Sequence, residues 1–151
     1  MNIRFAKEAD LQTVDRLYNL CRQEFNFPDK SIQSSAFILE TILAKHTDFL
    51  VCFDDNDVAI GYISISQTIS TAIMGKAMLL IDFYIHEKFR SKGIGSKMLD
   101  FLEKYLTDNK YTCMFLVTMP HLDKTRDFYL KNGWGKEDLV FFRKLIKENI
   151  T

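Results

Sequence analysis

Net charge is the first thing this chain lacks: its 20 Lys and Arg residues are matched by 20 Asp and Glu. A chain so balanced has no global electrostatic reason to coat nucleic acid or an anionic membrane, so any basic patch must be local. Cysteine is scarce as well. Cys21, Cys52 and Cys113 are odd in number, far apart and without a C-x-x-C pair, which argues against both a disulfide framework and a zinc site. No metal is expected, and all three read as reduced residues of the core. No apolar run reaches the roughly 18 residues of a membrane-spanning helix. Arg4, Lys7, Glu8 and Asp10 stand where a signal peptide would need apolar residues. The expectation is a cytoplasmic protein with neither a membrane nor a nucleic-acid partner. Internal repeats, low-complexity tracts and an interdomain linker are missing too, so residues 1–151 are expected to form one domain.

What is present suits a buried core: 47% of residues are hydrophobic and 13 are phenylalanine, unlike a disordered chain. Asn2 to Ala6 reads as a short edge strand. Leu11, Val14, Leu17, Tyr18, Cys21 and Phe25 follow at helical spacing. Phe27-Pro28-Asp29 breaks that helix, and Ser31 can cap a second one ending near His46. Phe49–Phe53 and Val58–Ser66 read as antiparallel strands about the polar turn 54–57, with 68–76 as the expected mobile loop. Ala77–Ile85 is apolar on both faces apart from Asp82, as expected of a strand covered on two sides. The helix after the glycine turn should bury Ile94, Met98, Phe101, Leu102 and Tyr105. Tyr111–Thr118 is a further strand, Asp123 can cap a helix through Lys131 that stops at Asn132-Gly133, and Leu139–Ile146 should close the sheet. A helix between the strands 77–85 and 111–118 makes them parallel, within a mixed α/β sheet that is otherwise mostly antiparallel.

The most informative stretch is Leu79 to Leu106, where an apolar strand runs through a basic, glycine-bearing turn into an amphipathic helix. Gly93 and Gly95 let the backbone approach a bulky anion. The helix that starts there offers up to four unpaired N–H groups and the positive end of its dipole. Arg90, Lys92 and Lys97 flank that spot. G-I-G by itself fits an ordinary glycine-softened helix start equally well. A Walker loop requires G-x-x-x-x-G-K-[ST], which does not occur. The dinucleotide fingerprint requires a third glycine where Met98 stands, and a tighter strand-to-turn gap than His86 to Lys92 leaves.

The run R-S-K-G-I-G, Arg90 to Gly95, resembles the R/Q-x-x-G-x-G/A acetyl-CoA loop of the GNAT family of N-acetyltransferases. The opening residues 3–20 are similar to that family's first strand and helix. D-K-T-R-D-F-Y-L-K-N-G-W at 123–134 resembles its late helix, so the likeness spans essentially the whole chain. The resemblance implies a single-domain fold with a splayed central strand pair. It also implies that acetyl-CoA is the co-substrate, with pantetheine on the backbone of Phe83, Tyr84 and Ile85 and the pyrophosphate on Ser91, Lys92, Gly93, Ile94, Gly95 and Ser96 beside Arg90. The acceptor would be a small-molecule or peptide primary amine, attacking directly in a ternary complex.

Acyl transfer requires a neutral amine, yet an amine of pKa near 10.4 is neutral in only about one molecule in a few thousand at pH 7. The departing thiolate, in turn, is helped by an acid. Tyr129 matches the family's F-Y tyrosine and is the acid that the resemblance implies; on its residues alone it could equally be core packing beside Phe128. L-I-D-F-Y-I at 80–85 resembles the fourth strand of the diamine acetyltransferase branch, but Ile81 stands where that branch has its glutamate. Asp82 is either hydrogen-bonded structurally or available to the acceptor amine as its base. Leu122 replaces a pantetheine-binding asparagine of many family members. His86 and His121 read first as loop histidines. Arg22 to Ser31 mixes Glu24 and Asp29 with Phe25 and Phe27, walls that would suit a cationic amine with an apolar portion. A Cys113 acyl-enzyme lacks a partner base. A catalytically silent acyl-CoA-binding module and a structural or homodimerising domain remain the other readings.

Overall fold

Continuous apolar runs, buried on both faces, build the central strands of the sheet, and the helices form wherever the apolar period lengthens to that of a helix face. The computed structural model describes residues 1–27 and 31–144, the side chains of 31 and 32 excepted. The chain divides into two compact units, Met1–Val117 and Thr118–Thr151.

In the first unit β1 (Asn2–Phe5), β2 (Asp48–Phe53), β3 (Ala59–Ser70), β4 (Gly75–Ile85) and β5 (Cys113–Leu116) lie side by side in chain order. The first three pairings are antiparallel and β4–β5 is parallel, the mixed sheet expected from the sequence. α3 (Ile94–Asp108) makes the crossover. α1 (Leu11–Glu24) and α2 (Ser31–Leu43) cover one face, where Val14, Leu17, Cys21 and Ile38 pack on Phe49, Val51, Phe53, Tyr62 and Tyr84. The two helices are fastened by Asp15 of α1, whose carboxylate accepts from the hydroxyls of Ser34 and, at 2.8 Å, Ser35. The other face carries Phe5, in edge contact with Phe101 and Tyr105 of α3. Leu50, the cross-strand partner of Phe5, and Cys52, two residues along β2, share that face and are buried.

Several boundaries differ from expectation for physical reasons. Phe25 follows α1 instead of joining its seam and is 44% exposed, because Asn26 turns left-handed (φ 53°) and ends the helix. Lys45 (φ 53°) stops α2 before His46 in the same way. The break at Pro28-Asp29 lies outside the described residues, and so does the side chain of Ser31. Residues 68–76 are not a loop: Thr68 pairs with Ala77 and Ile69 with Lys76, leaving only a turn at 71–74. β-Branched residues extend that hairpin. The buried seam of α3 is Gly95, Met98, Leu99, Leu102 and Leu106. Phe101 and Tyr105 flank it instead, reaching sideways to Phe5 at the sheet edge.

In the second unit α4 (Asp123–Lys131) has Leu122, not Asp123, at its cap position. Asp123 is the first helical residue and pairs with Arg126, a favourable place for a carboxylate against the helix dipole. The stop at Asn132-Gly133 forms as the sequence indicates: Gly133 is left-handed (φ 82°), its N–H donates to Leu130 O and that of Trp134 to Tyr129 O, both at 3.1 Å. The closing strand expected over Leu139–Ile146 is not formed across 139–144, and 145–146 lie outside the described residues. An apolar run lacking a polar face takes strand form only against a ladder partner, and the described sheet ends at β5. Among the described residues no helix is long and apolar enough to cross a membrane.

Gly61 brings two strands into close backbone approach: a Cβ there would meet the Tyr84 carbonyl oxygen at 2.8 Å and Ile85 Cα at 3.3 Å. Backbone cannot swing aside as a side chain can, so Gly61→Ala should lose about 1–3 kcal/mol of stability in urea unfolding. An unchanged midpoint would show that the β3–β4 ladder is looser than described.

Candidate active site

β4 and β5 pair from Ala77–Cys113 to Leu80–Leu116, where β5 ends while β4 continues to Ile85. The register with β3 shifts at the same place: Ser64 faces Asp82, but Ile65 faces Leu80, leaving Ile81 as the extra residue of a β-bulge. Ile81 is 45% exposed.

Beyond the bulge the ladder phase decides which peptide groups a ligand could meet. The N–H of His86 donates to Ile60 O at 2.9 Å. With Tyr62 opposite Tyr84, this turns the peptide groups of Tyr84 toward β3 and those of Phe83 and Ile85 toward the β5 side. Of the three backbone contacts expected for pantetheine, Phe83 and Ile85 therefore have the right direction and Tyr84 does not. The ring of Tyr84 belongs to the core under α1.

The strand leads through a 3-10 turn at Glu87–Phe89, capped by the His86 ring, into the glycine loop. Ser91 (φ 59°) and Gly93 (φ 75°) are both left-handed. A Cβ on Gly93 would touch nothing within 4 Å, so the backbone turn, not crowding, calls for glycine there. Gly93 caps α3 without a side-chain hydrogen bond. Its carbonyl first accepts from Lys97 N at 3.2 Å, so Ile94, Gly95 and Ser96 lie in the first turn, where amides have no intrahelical acceptor. An uncapped helix start of this kind fits an anionic phosphate group. The Lys92 ammonium donates to Lys88 O at 2.9 Å, above the Phe89 ring.

Arg90 is engaged elsewhere than the sequence indicates. Its guanidinium forks onto Glu24 at the end of α1, at 2.7 and 2.6 Å, while Nε donates to Ile85 O at 2.6 Å. It thereby ties the end of α1 to the end of β4. Arg90 holds the Glu24 carboxyl below its ordinary range. Nothing in the local sequence marks this pair, because its members are far apart in the chain and meet only through the α1–sheet packing.

Asp82 is partly buried, its Oδ2 accepting from Ser64 Oγ at 2.8 Å and its own N–H donating to the same oxygen at 3.0 Å. Burial raises its pKa, opposed by the Ser64 hydrogen bond and the Arg22 charge. Ser64 was legible only as a polar residue in an apolar strand; its partner depends on the bulge. Tyr129 lies in the second unit on α4, buried, between Phe128 and Trp134 with ring centroids 5.3 Å from each. Burial raises its pKa and keeps the phenol protonated at neutral pH. Leu122 supplies only main-chain bonds there, its carbonyl accepting from Arg126 N at 3.0 Å. Among the described residues no cluster of His, Cys, Asp or Glu could hold a metal.

Both members of the Glu24–Arg90 pair are more than a third exposed, so water screens it and Glu24→Gln should cost at most about 1 kcal/mol at pH 7. The folded pKa of Glu24 lies below its ordinary 4.5. Its contribution is therefore present above the ordinary value and disappears as pH falls through the lowered one. Urea unfolding of wild type and variant at pH 7, and again well below pH 4, should show that loss shrinking; an equal loss at both would contradict the assignment.

Known proteins resemble this chain in sequence and in fold. The chain is 30% identical over 141 residues, 93% of either chain, to the uncharacterized N-acetyltransferase YhfO of Bacillus subtilis (strain 168). Its fold matches the crystal structure of a probable acetyltransferase with TM-score 0.88 at 16% identity, covering 99% of this chain and 100% of that one. It also matches an aminoglycoside acetyltransferase from an uncultured soil metagenomic sample, solved with sisomicin, with TM-score 0.85 at 18% identity over 97% and 96%. The model of the acetyltransferase (GNAT) family covers residues 14–134, and a match of that extent makes this chain a member of that acetyltransferase family.

Proposed function

We propose that this acetyltransferase moves the acetyl group of acetyl-CoA onto a primary amine by direct attack in a ternary complex. The observation that carries the reading is a juxtaposition at one end of β4. The strand parts from β5 there, turns the peptide groups of Phe83 and Ile85 toward the gap, and leads into the uncapped first turn of α3. Amides within residues 91–96 would hold the diphosphate, and the strand edge would hold the pantetheine arm. Lys92 supplies nearby positive charge. Arg90 could join only by leaving Glu24.

Asp82 is the proposed base. It lies next to the bulged residue at the parting of the strands, and burial raises its pKa toward that of an amine. A carboxylate so placed takes the acceptor's proton as the C–N bond forms and the C–S bond breaks. The Tyr129 phenol, protonated at neutral pH, is the proposed donor to the departing thiolate. Cys21 makes a poor nucleophile, since burial pushes its thiol up to about 11.

Residues 80–85 resemble the diamine branch, and a fold neighbour is an aminoglycoside acetyltransferase; both direct the search to amines. Incubation of protein and acetyl-CoA with pooled polyamines, amino sugars, amino acids and amino-terminal peptides should give an acetylated product by mass spectrometry, with stoichiometric release of CoA thiol. Tight CoA binding with no release across the panel would select the silent acyl-CoA-binding reading, which Ile81 in place of the glutamate favours.

Two substitutions test the roles. Asp82→Asn should retain activity at high pH, where the amine is neutral unaided, and lose it near neutrality, whereas the wild-type rate falls only as pH drops through the raised Asp82 pKa; superimposable pH profiles would remove the base. Tyr129→Phe should lower turnover at least about tenfold with folding preserved, and an unchanged rate would reject the acid.

A further inference from the structure

Tyr62 lies at the centre of the face under α1 and is wholly buried, yet its hydroxyl has no hydrogen-bond partner among the described residues. The Cys21 thiol interacts with it but falls outside hydrogen-bonding geometry. A buried phenol with an unused proton is costly, and native structures satisfy such groups with protein or ordered water.

Sheet register indicates where that proton goes. Tyr62 faces Tyr84, and two residues along β3 Ser64 faces Asp82. Residues two apart on a strand share a face, so Tyr62 and Asp82 are diagonal cross-strand neighbours. That spacing is too long for most direct contacts between backbones but suits a long side chain assisted by one water. The single hydroxyl proton of Ser64 is spent on Asp82 Oδ2, so Ser64 has no proton left for Oδ1. The unpaired Tyr62 hydroxyl and the Asp82 carboxylate thus share one face, and the Asp82 charge acts on Tyr62.

We propose that a buried water joins the Tyr62 hydroxyl to Asp82 Oδ1, making Tyr62 a positioning residue that holds the Asp82 carboxylate ionised. Asp82 then has two donors, Ser64 directly and Tyr62 through the water, and these offset the burial that would otherwise protonate it. From α1 it is also faced by Arg22, whose charge favours the carboxylate, and by the Cys21 thiol, neutral at physiological pH. Tyr18 acts on the flanking Tyr62, and the Glu24–Arg90 pair on Cys21 and Tyr84. The catalytic consequence rests on Asp82 being the base proposed above, whereas the water link does not.

Tyr62→Phe separates the two. The titration of the Asp82 carboxyl, followed by carbon NMR in the substrate-free protein, should move up by at least about half a pH unit in the variant, because a hydrogen bond to the charged form is lost. The acid limb of kcat/KM should move with it. A high-resolution crystal structure of the wild type should show a water within hydrogen-bonding distance of Tyr62 Oη and Asp82 Oδ1. If Asp82 titrates alike in both proteins, or the crystal shows no such water, the proposal is overturned. A raised Asp82 pKa with an unmoved acid limb would keep the water link and sink the base assignment instead.

Discussion

The proposed coenzyme-binding surface follows from one event in the sheet: β4 loses β5 as a partner after Leu80 yet runs on to Ile85. Main-chain N–H and C=O groups are obligatory hydrogen-bonding groups, so a strand that parts from its neighbour inside a sheet creates a place where an extended, amide-bearing ligand could complete the ladder. The bulge at Ile81 coincides with that parting and sets the ladder phase beyond it. Phe83 and Ile85 consequently turn toward the gap and Tyr84 toward β3. The same chain then enters α3 through two left-handed residues, Ser91 and Gly93, which brings an uncapped helix start close behind the strand end. A strand edge for an arm and a helix start for its phosphates are thus supplied by one continuous segment.

The second constraint is electrostatic. A carboxylate placed in an apolar strand is tolerated only if donors surround it, and Ser64, buried on β3 opposite Asp82, answers that need. Arg90 similarly finds its carboxylate in Glu24, so the loop's strongest cation is spent on joining α1 to the end of β4. The diphosphate site is therefore proposed to depend more on backbone amides and the helix dipole than on side-chain charge, in keeping with a chain whose formal charges cancel.

Much of this was legible in the residues. Apolar runs bounded by polar turns gave four of the five strands nearly in place, and the order strand, glycine turn, amphipathic helix, strand required the parallel crossover between β4 and β5. R-S-K-G-I-G carried the family likeness that the match over residues 14–134 bears out. What could not be read was long-range register. Whether Asp82 meets Ser64 depends on a bulge that no periodicity marks, and the Arg90–Glu24 fork depends on how α1 lies across the sheet. The hairpin at 68–76 was missed because Ser, Thr and Gly suggested a loop, whereas cross-strand pairing of Thr68 and Ile69 overrode that local preference. The strand expected over Leu139–Ile146 erred in the opposite sense across 139–144: a high strand propensity with no ladder partner among the described residues yields no strand.

The most direct measurement is an NMR titration of the substrate-free protein with coenzyme A, following every backbone amide. The account predicts that the largest shifts fall on residues 92–96, with Phe83 and Ile85 next and Tyr84 little affected. Saturation that leaves the 92–96 amides unmoved while perturbing another part of the chain would contradict it.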